Sequence, residues 1–296
     1  MKKALTIGAV IAIAAAAAVG VYLWRNGQDV TLPISADGQR ALESDPAKIA
    51  ARRKQYVEQY RQLWRVDDVA AVRDKAKAGN PIAQRRLYEI YEYCLGMRTR
   101  GASTLPLLSQ MSRLDPALAA MLKELGEEHR TLCGREGVGS EATGQARAFW
   151  MRESAKRGDL VSEMRVFVGE AKKPLTPDAL KDFIHRTALS GDPAAMMEIA
   201  SLLPALDGDW PDQATLPAVK GELAGHAWII AACRAGMDCA RGSRLMTTAC
   251  IRMMNCMRPN YESLLYTDMI PPARRPQVEA IIALIQGTLL RPDLKS

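Results

Sequence analysis

Apolar and small residues recur along this chain in a frame punctuated by glycines. Around Gly79, Gly158 and Gly191 the order is the same: a small residue three positions before, an Asn or Asp directly after, and a small residue four positions after. The sets are Ala76, Gly79, Asn80, Ala83; Ala155, Gly158, Asp159, Ser162; and Ala188, Gly191, Asp192, Ala195. Eight positions before the glycines stand Ala71, Trp150 and Phe183; eight positions after stand Leu87, Val166 and Ile199. The frame predicts helical hairpins. A glycine ends one helix in the left-handed conformation without a Cβ penalty. The Asn or Asp after it caps the next helix by accepting a free backbone N–H. The small residues let the two helices approach closely, and because one pair cannot bury its own apolar face, copies must stack.

A fourth, degraded copy runs through Trp228, Ala232 and Gly236, with Met237 where the cap should be. The spacing from Gly158 to Gly191 is one short repeat and that from Gly79 to Gly158 about two, which leaves room for a diverged unit between Arg98 and Gly137. These residues resemble the SEL-like repeats, short relatives of tetratricopeptide repeats, over roughly half the chain. The resemblance implies an all-α fold, an α/α solenoid of stacked hairpins, and a protein-interaction role. The chain departs from the family pattern in a Pro-rich insertion, Leu203–Pro217, and in lacking a clean unit at 100–137.

Helix starts are marked independently. Asp45-Pro46, Asn80-Pro81, Asp115-Pro116, Thr176-Pro177 and Asp192-Pro193 each place a capping residue before a proline, a combination suited to the first helical turn. The first of these opens a helix over about 46–65. Thr104–Cys133 reads as a further helical pair, and a closing helix near Gln277–Leu290 carries Val278, Ile281, Ile282, Ile285 and Leu289 as a stripe. No run of alternating apolar residues predicts a strand.

The N-terminus changes the compartment. After Lys2 and Lys3 an uncharged run extends from Ala4 to Trp24, long enough to cross a bilayer core. Residues 1–24 are expected to be an uncleaved signal anchor, with 25–44 as a tether and 45–296 as an export-side helical body whose Cys-rich part spans 228–296. A cleaved secretory signal at Ala16–Ala18 is the alternative. The body is thereby placed in the periplasm, held to the inner membrane.

An even number of cysteines behind an export segment points to disulfides. There are six: Cys94, Cys133, Cys233, Cys239, Cys250 and Cys256. A helix over about 241–254 would hold Cys239 and Cys256 about 20 Å apart, beyond bonding reach. The expected pairs are Cys233–Cys239, Cys250–Cys256 and Cys94–Cys133; Cys233–Cys250 with a different partnering is the alternative. The last segment also resembles a Cys-rich C-terminal segment of uncharacterised envelope proteins of some proteobacteria, a resemblance that brings no activity with it.

Charge and chemistry narrow the function. The formal net charge is +7, and setting aside Lys2, Lys3 and Arg25 leaves about +4, too small and dispersed for a nucleic-acid footprint. No C-x-x-C, two-His metal spacing, nucleophile elbow or phosphate loop is present. Glu153-Ser154 superficially resembles the catalytic Glu-Ser of lytic transglycosylases, but it falls inside a repeat helix whose pattern accounts for it. The expectation is a non-enzymatic scaffold, with no metal and no cofactor, that holds a protein or peptide partner. Arg147, Arg152, Arg186 and Trp210 are candidate partner-facing residues; Trp210 is otherwise expected to tuck onto the core. The alternative is a copper- or thiol-handling envelope factor using residues 233–257, where Met237, Met246, Met253, Met254 and Met257 interleave with four cysteines.

Overall fold

The computed structural model describes residues 45–64, 69–98, 110, 116–134, 137–170, 174–253 and 258–291. The anchor and tether, the first part of the Thr104–Cys133 pair, and the Cys250–Cys256 pairing with Met254 and Met257 lie outside the described residues or side chains. Among the described residues the fold is all-α; two isolated bridges, Leu175 to Leu206 and Ala240 to Asn260, are its only extended pairing. No helix among them is long and apolar enough to cross a membrane.

The helices are α1 (Pro46–Trp64), α2 (Val69–Lys77), α3 (Pro81–Gly96), α4 (Pro116–Cys133), α5 (Gly144–Lys156), α6 (Leu160–Glu170), α7 (Pro177–Ser190), α8 (Pro193–Leu202), α9 (Leu216–Val219), α10 (Ala224–Arg234), α11 (Arg244–Met253), α12 (Tyr261–Leu264) and α13 (Arg275–Leu284). Each of the five cap-proline pairs has its proline at the first residue of a helix, where the missing N–H would have had no intrahelical acceptor.

The three framed turns form as the local chemistry requires. Gly79, Gly158 and Gly191 have φ of 92°, 84° and 68°. Behind them Asn80 Oδ1 accepts from Ala83 N at 2.9 Å, Asp159 Oδ2 from Ser162 N at 2.9 Å, and Asp192 Oδ1 from Ala194 N at 2.8 Å. Two of the turns close through a bond reaching back five residues, Asn80 N to Lys75 O and Asp159 N to Ser154 O, the Schellman arrangement. The small residues on both sides are buried, as are Leu87, Val166 and Ile199.

At Gly236 the turn forms without the hairpin. Its φ is 109° and Met237 N closes onto Ala232 O at 3.0 Å. Met237 has no oxygen with which to cap a following helix, and α11 does not begin until Arg244. Residues 237–243 are a loop instead, braced by the Cys233–Cys239 disulfide with Cα atoms 5.6 Å apart.

Packing follows the hairpins. The largest contacts join α3 to α5 and α8 to α10, with α2 on α3, α5 on α6 and α6 on α8. Because α3 meets α5 directly, α4 is not a layer between those hairpins. That segment lacks the turn-and-cap frame, and α4 lies against α3, tied to it by Cys94–Cys133. The main core gathers side chains of α6, α7, α8, α10 and α13 around Trp228, which is fully buried and donates from Nε1 to Ala218 O at 2.8 Å.

Helix α1 crosses the turn ends of this arrangement. It touches α3, α7 and α8, and Arg52 Nη2 donates to Leu189 O at 2.7 Å, occupying a terminal carbonyl of α7. The approach is close: a Cβ on Gly191 would lie 2.9 Å from Ile49 O, and one on Gly236 would lie 3.0 Å from Val57 Cγ2.

Candidate ligand-binding cleft

Where α1 passes α3, and the 237–243 loop turns back toward both, a cleft of about 600 Å³ opens. Tyr60, Trp64, Arg85, Arg86, Glu89 and Arg165 line one side, and Met237, Arg241, Ser243, Arg244, Leu245 and Thr248 the other. The frame explains much of this lining. The residues seven positions after the three turn glycines are Arg86, Arg165 and Glu198. The residues directly after the glycines are Asn80, Asp159 and Asp192. Of these six, Arg86 and Arg165 line the cleft, while Asp159 and Asp192 lie beside Arg85 at its floor.

At the floor of the cleft Arg85 is 1% exposed. Its Nη1 lies 3.3 Å from Asp159 Oδ1 and 3.6 Å from Asp192 Oδ2. Its Nη2 donates to the Tyr60 hydroxyl, which itself donates to Asp192 Oδ1 at 2.5 Å. Two cap residues from separate hairpins thus share one guanidinium, and α1 supplies the hydroxyl that links them. Burial alone would lower the Arg85 guanidinium; the carboxylate of Asp159, then Tyr60 and Asp192, outweigh burial and raise it. Burial pushes the Asp192 carboxyl up, against the opposing pull of Arg85 and of the Tyr60 hydroxyl.

Beside it, Arg165 Nε donates to Glu198 Oε2 at 2.9 Å and Nη1 donates to Glu89 Oε1 at 3.3 Å. Burial acts to raise the Glu89 carboxyl, but Arg165, Arg244, Arg85 and Arg86 together hold it below its ordinary value. It is consequently an anion at neutral pH and is not poised as a proton donor.

Arg86 differs. It is 2% exposed, and its Nε and Nη1 are buried without a hydrogen-bond partner among the described residues. Its guanidinium carbon sits 5.2 Å from the centre of the Trp64 ring. Burial, then the nearby charge of Arg244, lower it to about 10, so it remains a cation at neutral pH. Arg244 crosses from α11 to donate through Nη2 to the carbonyl of Glu89, stacks 5.2 Å from the Tyr93 ring, and leaves Nη1 buried without a partner.

The sequence-derived candidates lie elsewhere. Arg186 is engaged with Glu163 and Asp182. Arg147 lies 3.9 Å from Glu92, and Arg152 is exposed on α5. Trp210 does not face a partner: it is 2% exposed and donates to Thr215 Oγ1 at 2.8 Å, because a ring of that size in a long loop buries more area on the core than it could hold in water. Ser154 is fully buried, donating to Pro81 O at 2.8 Å and accepting from Ser162 Oγ at 2.9 Å. Glu153 turns outward to Lys156 and Arg157, so the Glu-Ser pair forms no joint site. No group of His, Cys, Asp and Glu among the described residues could hold a metal ion.

Tyr60, Arg85, Arg86, Glu89, Arg165 and Arg244 were not foreseen as a site. One signal was available in the sequence: Arg85-Arg86 falls between Ala83 and Leu87, two positions the frame assigns to the core. A cationic doublet there must find anions or a cleft. Comparison with protein-family models, with curated proteins and with solved structures finds no match.

Proposed function

We propose that the protein is a non-enzymatic, membrane-tethered helical-repeat scaffold of the periplasm that holds a segment of a partner protein in the α1–α3 cleft. The observation that carries this reading is the cleft itself, walled by α1, α3 and the disulfide-braced 237–243 loop, with the Arg85 ion-pair network at its floor. A preorganised surface loses little conformational entropy on binding. The shared frame of α2–α3, α5–α6 and α7–α8 supports an α/α solenoid of SEL-like hairpins, in which stacked repeats present such surfaces. The copper- or thiol-handling alternative gains nothing from Cys233 and Cys239: sulfurs bonded to each other offer no thiolate to a soft metal.

A photoreactive residue at Thr248, exposed on the cleft wall, tests the scaffold in intact cells. A discrete protein adduct is expected from position 248 and not from Arg152, away from the cleft. No adduct at 248, or an identical ladder from both positions, refutes the scaffold.

A further inference from the structure

Three side chains occupy the position seven residues after a turn glycine, and two of them answer each other. Arg165 is bonded to Glu198, and further to Glu89. Arg86, the third, has no hydrogen bond and no ion pair with any described residue. A buried guanidinium without a partner costs several kcal/mol in general, and a ligand that pairs with it would relieve that cost. Arg244 reaches the same turn of α3 at Glu89, also with one nitrogen unanswered. Two cations with spare donors therefore line one cleft, each with its guanidinium carbon 5.2 Å from the centre of an aromatic ring.

We propose that Arg86 and Arg244 are the receptor for carboxylates of an acidic peptide segment, which enters the cleft and completes the ladder that Arg165 and Glu198 begin. The identity of the ligand as a protein segment rests on the scaffold reading above; the anion site rests on the two arginines. Planar guanidinium forks match a carboxylate with two parallel hydrogen bonds. The rest of the lining favours a peptide over a compact inorganic anion. Val57, Trp64, Met197, Met237 and Leu245 offer apolar surface to the side chains that flank an acidic residue.

The full-length protein in detergent, titrated with fluorescein-labelled hexaglutamate at low ionic strength, tests the inference by anisotropy. Saturable binding is expected. Arg86→Met and Arg244→Met should each weaken it at least tenfold. Arg274→Met should change it less than threefold, because Arg274 lies outside the cleft lining and is already paired with Glu222. Unlabelled hexaglutamate should displace the probe, and inorganic phosphate at equal charge concentration should not. Arg86→Met should also melt at a higher temperature than the parent, since it removes an unanswered buried charge. Arg244→Met, at the half-buried rim, keeps the test open if the α3 variant misfolds. Undiminished binding by both folded variants, no binding by the parent, displacement by phosphate, or a lower melting temperature with binding retained would each overturn the site. If hexaglutamate fails while the adduct at position 248 persists, the carboxylate site falls and the scaffold stands; if hexaglutamate binds with no adduct, the reverse holds.

Discussion

Arg85 and Arg86 are neighbours on α3, both removed from solvent, yet their surroundings are opposite. Arg85 is answered by Asp159, Asp192 and Tyr60, drawn from two hairpins and from α1. Arg86 meets the Trp64 ring and makes no ion pair within 4 Å among the described residues, Glu89 and Glu128 acting on it only from farther away. Successive residues on a helix point about 100° apart. One guanidinium is therefore turned toward the hairpin caps and the other toward the cleft. The difference separates two uses of a buried cation. One joins elements of the fold, and removing it exposes its partners to an uncompensated interior. The other holds an unmet hydrogen-bonding demand that a ligand can meet. Neither burial nor unbonded nitrogens distinguish them, since Nε and Nη1 of both lack a hydrogen bond among the described residues; the carboxylates within ion-pair range of Arg85 and the Tyr60 hydroxyl do.

The contrast is sharpest under substitution by an apolar residue of similar length. Arg85→Met leaves two carboxylates buried without their cation and should lower unfolding stability by about 3–5 kcal/mol, read from denaturant midpoints at constant slope. Arg86→Met should move the midpoint the other way. Shifts of equal sign and size would erase the distinction between the two sites.

A smaller effect tests whether Arg85 depends on α1. Gly191→Ala combines a left-handed backbone with a Cβ 2.9 Å from Ile49 O, and should cost about 2–4 kcal/mol. Gly158→Ala meets nothing within 4 Å and carries only the conformational cost of about 1–2 kcal/mol. Equal losses would mean that α1 is not held tightly over the turns, and that the Tyr60 bridge to Asp192 is dispensable.

The acid limb of stability separates the two carboxylate environments. The Glu89 carboxyl is lowered in the folded state. Its contribution is therefore present above the ordinary carboxylate range and is lost as the pH falls through its lowered value. The Asp192 carboxyl is raised by burial, so its protonation on acidification opposes that loss. Glu89→Gln should flatten the decline below pH 4.5, and Asp192→Asn should steepen it, in denaturation followed at several pH values. Indistinguishable acid limbs would show that neither group senses the cations around it.

The smallest effect is expected at the exposed counterpart of these networks. Arg234 bonds Glu262 and Glu279 at 2.6 and 2.8 Å, with better distances than those around Arg85 but with about a third of its side chain in solvent. Water already solvates such pairs, so Arg234→Ala should cost less than about 1 kcal/mol. A loss comparable to that of Arg85→Met would mean that distance, not burial, sets the strength of ion pairs here.

Local features were legible from the residues alone. The helix starts at Pro46, Pro81, Pro116, Pro177 and Pro193, the turns at Gly79, Gly158, Gly191 and Gly236, and the pairs Cys94–Cys133 and Cys233–Cys239 are all present as expected. The candidate site was not legible. Arg147, Arg152 and Arg186 were expected to face a partner as exposed residues of the first helices of their units, whereas the buried or half-buried cations that line the cleft stand on α3, α6 and α11. Arg85 was obscured because a pattern built on apolar positions has no place for a charged residue whose partners, Tyr60, Asp159 and Asp192, are distant in sequence, and Arg86 because its cleft forms only on packing.

What the amino-acid sequence determined by itself is local: where helices begin, where glycine turns them, which cap follows and which faces are apolar. Those outcomes depend on interactions within a few residues, such as Asp159 with Ser162, and need no distant partner. The tertiary structure alone decided that Asp159 and Asp192 would serve twice, as helix caps and as counter-ions to Arg85. It also decided that the loop left by the missing cap at Met237 would face α3 across a cleft. The reason is that the free energy of a buried charge depends on every group within a few ångströms, and only packing brings α1, two hairpin caps and α11 to the same place.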